Sequence, residues 1–262
     1  MEVSPLDAQM TDRAMAYGDG LFATLRVENG QILWCQQHLE RLSQGAQRLG
    51  FELVFSAEIR TKLTQLTASN SGCLKLHISR GEGGRGYQAS ASAQPIVRMS
   101  FHSLPDCYPH WHSHGIRLQT SSVRLGRQPL LAGIKHLNRL EQVLIKQERL
   151  APSYDDYLVF DADGFLVETS VGNIFLVNNG RVLTPHHGYA GVAGMARTQS
   201  LLALVDMGYS IECRSLTVND LQQADHVFTT NSLYGVVDVT QVDLLQFQRW
   251  PNTVLLRQKI LC

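Results

Sequence analysis

The sequence lacks the features that would point to a nucleic acid, a membrane or a disulfide framework. Its 262 residues carry 23 Lys+Arg against 23 Asp+Glu, so there is no basic excess to displace counterions from a phosphate backbone or to settle on an anionic surface. No stretch reaches the roughly 18 uninterrupted apolar residues that a membrane helix needs. The first thirty residues carry acidic side chains early, without the basic start and apolar run of a secretory signal. The five cysteines, Cys35, Cys73, Cys107, Cys213 and Cys262, are odd in number and scattered, with no C-x-x-C pair. That spacing fits reduced thiols and a cytoplasmic location better than a disulfide scaffold or a zinc ribbon. Lysine is scarce, with only Lys62, Lys75, Lys135, Lys146 and Lys259. Internal repeats and low-complexity tracts are missing. What is present, 44% hydrophobic and 18% charged residues, suffices for one large globular domain or two modest ones.

From Gly20 to Trp34 the pattern reads strand, turn, strand, because Glu28-Asn29-Gly30 supplies the positive φ angles of a tight hairpin. A helix follows in which Leu39, Leu42, Ala46 and Leu49 share one face, Gly50 is placed to end it and Arg41 lies beside the stripe. Cys73 to Ser79 alternates apolar and polar residues as a half-buried strand does, and a second strand fits Ile96 to Phe101. Pro105, Pro109, Gly115 and Gly126 then break the regularity. The expected division is a smaller N-terminal domain over 1–110, a linker over 111–122 and a larger C-terminal domain over 123–262. In the second half Leu137, Leu140, Leu144 and, less regularly, Ile145 suggest a helix, and another spans Met195 to Met207. Asp161-Ala162-Asp163-Gly164 and Asn178-Asn179-Gly180 turn two more hairpins. Strands outnumber helices and are joined by hairpins, so the expected class is α+β, in two domains with largely antiparallel sheets and flanking helices.

Gly81-Glu82-Gly83-Gly84-Arg85-Gly86 matches G-x-G-x-x-G, but Tyr87 to Pro95 cannot open the helix that a dinucleotide site requires. The loop instead either presents Arg85 and Tyr87 to an anionic substrate or is only a turn. Cys107, His110, His112 and His114 have no second cluster to pair with, and His186 and His187 have still less context, so no metal is expected. Gly191 to Arg197 precedes an apolar-periodic helix, and its backbone N–H groups either hold a phosphate or form an ordinary turn. Four lysines read as solvated surface. Lys135, in Leu131-Ala132-Gly133-Ile134-Lys135-His136-Leu137, has a neutral, mostly apolar setting. Desolvation there lowers an amine's pKa and suits Schiff-base chemistry, while the plainer reading is a lysine snorkelling at a helix start. Glu168 shares a strand face with Leu166, so a buried partner such as a protonated ring nitrogen is expected.

The motifs fall in a specific order. Asp12-Arg13 with Tyr17-Gly18-Asp19-Gly20, His38-Leu39-Glu40-Arg41-Leu42, Ser79-Arg80-Gly81 to Tyr87, Gly133-Ile134-Lys135-His136-Leu137-Asn138-Arg139, Glu168 with Asn173, and Gly191 to Arg197 resemble the fold-type IV pyridoxal-phosphate enzymes, which include the D-amino acid and branched-chain aminotransferases. The likeness covers essentially the whole chain. It implies pyridoxal 5'-phosphate as cofactor, Lys135 as the Schiff-base lysine, Arg41 on the phosphate and Glu168 on the pyridine nitrogen. Met195 and Ala196 would offer backbone amides to the phosphate, with Asn231 and Ser232 completing that pocket. Arg85 and Tyr87, together with Tyr17 and Arg26, are the implied substrate-binding set. Leu131 to Gln142 and Ser79 to Tyr87 look most like members that release 4-aminobenzoate and pyruvate from 4-amino-4-deoxychorismate for folate synthesis. The alternatives are an aminotransferase of D-amino or branched-chain amino acids and a cofactor-binding protein without turnover. The resemblance also implies a homodimer. The segment before Asp12 is shorter than the opening hairpin usual in that group.

Overall fold

The computed structural model describes residues 11–261, so the segment before Thr11 and Cys262 lie outside the described residues. The chain divides into two compact units, one of Met1–Ser103 with Lys135–Arg139 and one of Leu104–Ile134 with Leu140–Cys262.

The first unit is an antiparallel sheet in the order β2-β1-β3-β4, built from β1 (Gly20–Glu28), β2 (Gln31–Ile32), β3 (Gly72–Ser79) and β4 (Ile96–His102). Three helices accompany it: α1 (Arg13–Tyr17), α2 (Cys35–Arg48) and α3 (Ala57–Thr67). The alternation in β1 sends Leu21, Ala23, Leu25 and Val27 into the core, where Leu74, Leu76 and Ile78 of β3 and Leu39, Leu42 and Ala46 of α2 are also buried. Phe22, Thr24 and Arg26 are left on the opposite face of β1. Asn29 and Gly30 both take positive φ in the β1–β2 turn, as expected of Asn-Gly. At the end of α2 the amides of Gly50 and Phe51 turn back to the carbonyls of Gln47 and Ala46, which satisfies the last helical carbonyls.

The second unit is a nine-stranded sheet in the order β10-β9-β8-β11-β12-β5-β6-β7, with a short β13 beside β12. Its strands are β5 (Ile116–Thr120), β6 (Asp156–Phe160), β7 (Leu166–Thr169), β8 (Asn173–Asn178), β9 (Arg181–Pro185), β10 (Ser210–Arg214), β11 (His226–Asn231), β12 (Gly235–Val242) and β13 (Leu245–Gln246). Its helices are α4 (Tyr108–His114), α5 (Leu140–Gln147), α6 (Met195–Asp206), α7 (Val218–Gln222) and α8 (Thr253–Leu261). Most neighbours are antiparallel; β9–β10, β5–β12 and β5–β6 run parallel. Because β7 also pairs with β8, at Glu168 opposite Asn173, the strands β8, β11, β12, β5, β6 and β7 close into a ring. Ile116, Leu118, Leu158, Leu176, Val227 and Val237 are buried in one core cluster of this unit. A separate stack of Phe175, Phe228 and Trp250, with ring centroids 4.7 and 5.2 Å apart, belongs to the same unit.

Two expectations change. The 111–122 stretch is not a linker: it completes α4 and contains β5, which is hydrogen-bonded between β12 and β6. Pro109 sits in the first turn of α4 and Gly115, at φ +77°, turns that helix into β5, so the breakers mark a corner inside the second unit. Leu137 is not part of α5, which starts at Leu140. Its amide donates to the Gly20 carbonyl in the first unit, and on α5 itself Ile145 is buried while Leu140 and Leu144 are exposed. Among the described residues no helix is long and apolar enough to cross a membrane.

Candidate active site

In the first unit Lys135 lies on an extended segment beside the start of β1, not at a helix start. Phe22 donates its amide to the Lys135 carbonyl at 3.0 Å, Leu137 donates to Gly20 at 3.0 Å, and Leu21 bridges His136. The close approach explains Gly20: a Cβ there would stand 2.1 Å from the Ile78 carbonyl oxygen and 2.8 Å from a Leu137 methyl. Lys135 Nζ sits 4.3 Å from the centroid of the Phe22 ring, an arrangement in which the ring face favours the ammonium. Arg139 and Lys75 flank the same ring at 5.8 Å each.

His38, fully buried on α2, lies within the electrostatic reach of Arg41 and Lys135. Burial foremost, then those two positive charges, holds its pKa well below the ordinary imidazole value. A neutral imidazole therefore adjoins two cations, and neither of its ring nitrogens has a hydrogen-bond partner among the described residues. Burial lowers the Arg41 guanidinium to about 10, which leaves it charged at neutral pH. His136, next to Lys135, is pulled down to about 4 by burial and by Arg139.

The glycine-rich loop of the same unit is held by Arg13. This buried guanidinium pairs with Asp19 at 2.8 Å and donates to the carbonyls of Gly86, Tyr87 and Gln88 at 3.2, 2.8 and 3.5 Å. Asp19 also pairs with Arg80 at 2.7 Å. The Tyr17 and Tyr87 rings meet at 5.5 Å, with Arg13 over Tyr17 at 5.0 Å. Arg85 is exposed at the tip, and Arg26 pairs with Glu28 on β1 at 2.5 Å. No helix follows the glycines.

In the second unit Glu168 is buried on β7 and its Oε2 accepts the Val192 amide at 2.9 Å. Asn173 opens β8 and clasps the same loop: Nδ2 donates to the Val192 carbonyl at 2.7 Å and Oδ1 accepts the Gly194 amide at 3.1 Å. Gly194 is the N-cap residue of α6, and no side chain caps that end. The amides of Met195 and Ala196 open the helix there, at the positive end of a 12-residue dipole. A Cβ on Gly194 would lie 2.1 Å from Asn173 Oδ1, so the clasp requires glycine. Asn231 places its side chain in its own turn, accepting from the Leu233 and Tyr234 amides at 2.9 Å each and donating to Val171 at 3.3 Å. That turn contains Ser232. No group of three His, Cys, Asp or Glu residues suited to a metal occurs among the described residues. His110 and His114 stack on one another, and His112 is hydrogen-bonded to the Tyr234 carbonyl.

The structure thus gathers Lys135 and Arg41 in one unit, and Glu168 with the Met195–Ala196 helix start in the other. Sequence reasoning did not give roles to Phe22, Arg13 or His187. Phe22 follows from strand alternation once Lys135 is placed beside β1, whereas the contacts of Arg13 and His187 depend on tertiary structure alone.

Residues 20–242 match the family described as Amino-transferase class IV. The chain is 38% identical to the aminodeoxychorismate lyase of Vibrio harveyi over 232 residues, 88% of this chain and 86% of that protein. It superposes on the crystal structure of 4-amino-4-deoxychorismate lyase from Pseudomonas aeruginosa with a TM-score of 0.90 and 36% identity, covering 98% of this chain and 95% of that one. The D-alanine aminotransferase of Bacillus licheniformis is 28% identical, over 93% of this chain and 86% of that protein.

Proposed function

Because the chain belongs to the amino-transferase class IV family, we propose that it is a pyridoxal-phosphate-dependent lyase converting 4-amino-4-deoxychorismate to 4-aminobenzoate and pyruvate, a step of folate synthesis. The observation that carries this reading is the ranking of its relatives. Identity is 38% and 36% to two lyases that it matches nearly end to end, against 28% to an aminotransferase.

The residues suit the cofactor. It needs an amine for its aldehyde, a carboxylate for its ring nitrogen, and donors for a doubly charged phosphate. Lys135, Glu168 and, for the phosphate, Arg41 with the uncapped start of α6 at Met195 and Ala196 are that donor set, with Asn231 and Ser232 assigned to the same end. When bound, the cofactor supplies an electron sink for the carbon that carries the substrate amine.

The remaining work falls to the chain. Lys135 would hold the cofactor through Nζ and, once the substrate amine has taken its place, would be the amine at hand to take the proton from C4 of the substrate. With the C4 proton removed, the C3–O bond breaks and the ring becomes aromatic, so the step runs downhill; the fragment leaves as enolpyruvate and becomes pyruvate when its methylene carbon takes up a proton. The Glu168 carboxylate keeps the ring nitrogen protonated. Neutral His38 adds no competing positive charge beside Arg41. Arg85, Tyr87, Tyr17 and Arg26 are assigned to the substrate, whose two carboxylates call for cations and hydroxyl donors.

A homodimer is part of the proposal. Leu130, Leu140, Val143 and Leu144 of the second unit are exposed, large apolar side chains that a second copy would cover. A cytoplasmic setting is consistent with the free thiols Cys35, Cys73, Cys107 and Cys213.

The test is to give the cofactor-loaded protein 4-amino-4-deoxychorismate without an amino acceptor. Pyruvate and 4-aminobenzoate released in equal amounts are expected. Stoichiometric bleaching by a D-amino or branched-chain amino acid, with no pyruvate from the chorismate derivative, would make it an aminotransferase instead.

A further inference from the structure

His187 lies in the loop between β9 and α6. Its Nε2 is 3.2 Å from Asn173 Nδ2, and its Cδ2 lies 3.0 Å from where a Cβ on Gly191 would stand, a point also 3.2 Å from Glu168 Oε2. The imidazole therefore meets Asn173, one of the two side chains that hold the loop ahead of α6, and packs close to the loop at Gly191.

The orientation of the Asn173 amide settles which atom donates. Nδ2 faces the Val192 carbonyl at 2.7 Å and Oδ1 faces the Gly194 amide at 3.1 Å; a flipped amide would set oxygen against oxygen and N–H against N–H. The second proton of Nδ2 is then directed at His187 Nε2, which has to accept it, and the imidazole proton belongs on Nδ1. A protonated ring would place a donor against a donor. Burial, followed by the nearby Arg197 and His186 charges, holds His187 down to about 3, consistent with the neutral acceptor that the geometry requires.

We infer that His187 is a positioning residue for the phosphate-binding end of α6. As a neutral acceptor it fixes the Asn173 amide, which in turn fixes Val192 and Gly194 and so the direction of the Met195 and Ala196 amides. The inference rests on the reading that those amides receive the cofactor phosphate.

The experiment compares wild type, His187→Leu and His187→Gln as full-length apoproteins, titrated with pyridoxal phosphate and with pyridoxal. Leucine fills the space without an acceptor, and glutamine restores one. His187→Leu is expected to weaken pyridoxal phosphate binding about fivefold to tenfold, the worth of one buried hydrogen bond. Pyridoxal binding should be unchanged, and His187→Gln should recover most of the loss. Nitrogen NMR of the wild-type apoprotein at neutral pH should show His187 protonated at Nδ1 alone. Equal losses for both ligands, equal losses in both variants, or an imidazolium at neutral pH would each overturn the role. A wild type that binds pyridoxal and pyridoxal phosphate alike would remove the phosphate reading itself, whereas a phosphate preference undiminished in His187→Leu would remove only His187.

Discussion

Glu168 and Asn173 face each other across β7 and β8 and grip one residue from two sides: Val192 gives its N–H to Glu168 Oε2 and its carbonyl accepts from Asn173 Nδ2. The carboxylate assigned to the ring nitrogen and the clasp on the phosphate loop therefore share a single residue as their anchor. Glu168→Gln keeps an oxygen for Val192 and removes the charge. Cofactor affinity should stay within about threefold while turnover falls by about 10²-fold or more, the usual cost of a lost transition-state electrostatic contact. Titration of the apoprotein and steady-state rates read the two effects separately.

Lys135→Ala removes both the covalent anchor and the proton-transfer group. The visible absorbance of the lysine-bound cofactor should vanish and turnover should drop by about 10³-fold or more. A variant that retains its rate would move the chemistry elsewhere.

Arg41→Ala acts on binding. A charge-assisted hydrogen bond contributes about 1.5–3 kcal/mol, so pyridoxal phosphate affinity should fall about tenfold to a hundredfold. At saturating cofactor the rate should change much less. Dialysis against limiting cofactor, followed by assay at excess, distinguishes the two.

Arg13→Gln releases the glycine-rich loop. Trypsin should then cut after Arg85 about tenfold faster or more, since the charge-assisted hydrogen bonds of the guanidinium are lost. If Arg85 and Tyr87 serve the substrate, KM should rise more than kcat falls. An unchanged cleavage rate would show that the loop is held by other contacts.

Acid should destabilise the apoprotein through its buried histidines. His187 near 3 and His136 near 4 lie below the ordinary value of 6.5, so between those values the unfolded chain binds more protons than the folded one. Stability from this source is at its plateau above about pH 6.5 and falls with pH, down to about 4 for His136 and about 3 for His187. Near pH 5 the slope due to His187 alone is about 1.4 kcal/mol per pH unit. Denaturation midpoints measured against pH should show this, and His187→Leu should reduce the proton uptake at pH 5 by about one.

The legible parts of the sequence were those governed by local rules. Alternation marks β3, Asn-Gly the first hairpin with β1, and Gly50 the end of α2, because each depends on a few neighbouring φ angles or on which side of a strand is apolar. Lys135 stood out because a charge in a neutral run has to have a use. The domain boundary was misplaced because proline and glycine mark corners as readily as linkers, and only the pairing of β5 with β12 and β6 distinguishes them. Leu137 fits a helical pattern by spacing but bonds to Gly20. His187 offered no local signal, since its meaning comes from an asparagine fourteen positions earlier in the chain.

Arg13 grips the 86–88 loop entirely through main-chain carbonyls. Those acceptors are supplied by any amino acid, so a change of side chain at position 85 or 87 leaves the hydrogen bonds to Arg13 intact, although one at 87 gives up the Tyr17 ring contact. If positions 85 and 87 meet the substrate as proposed, its preference can drift by point mutation there while the main-chain attachment to Arg13 stays in place.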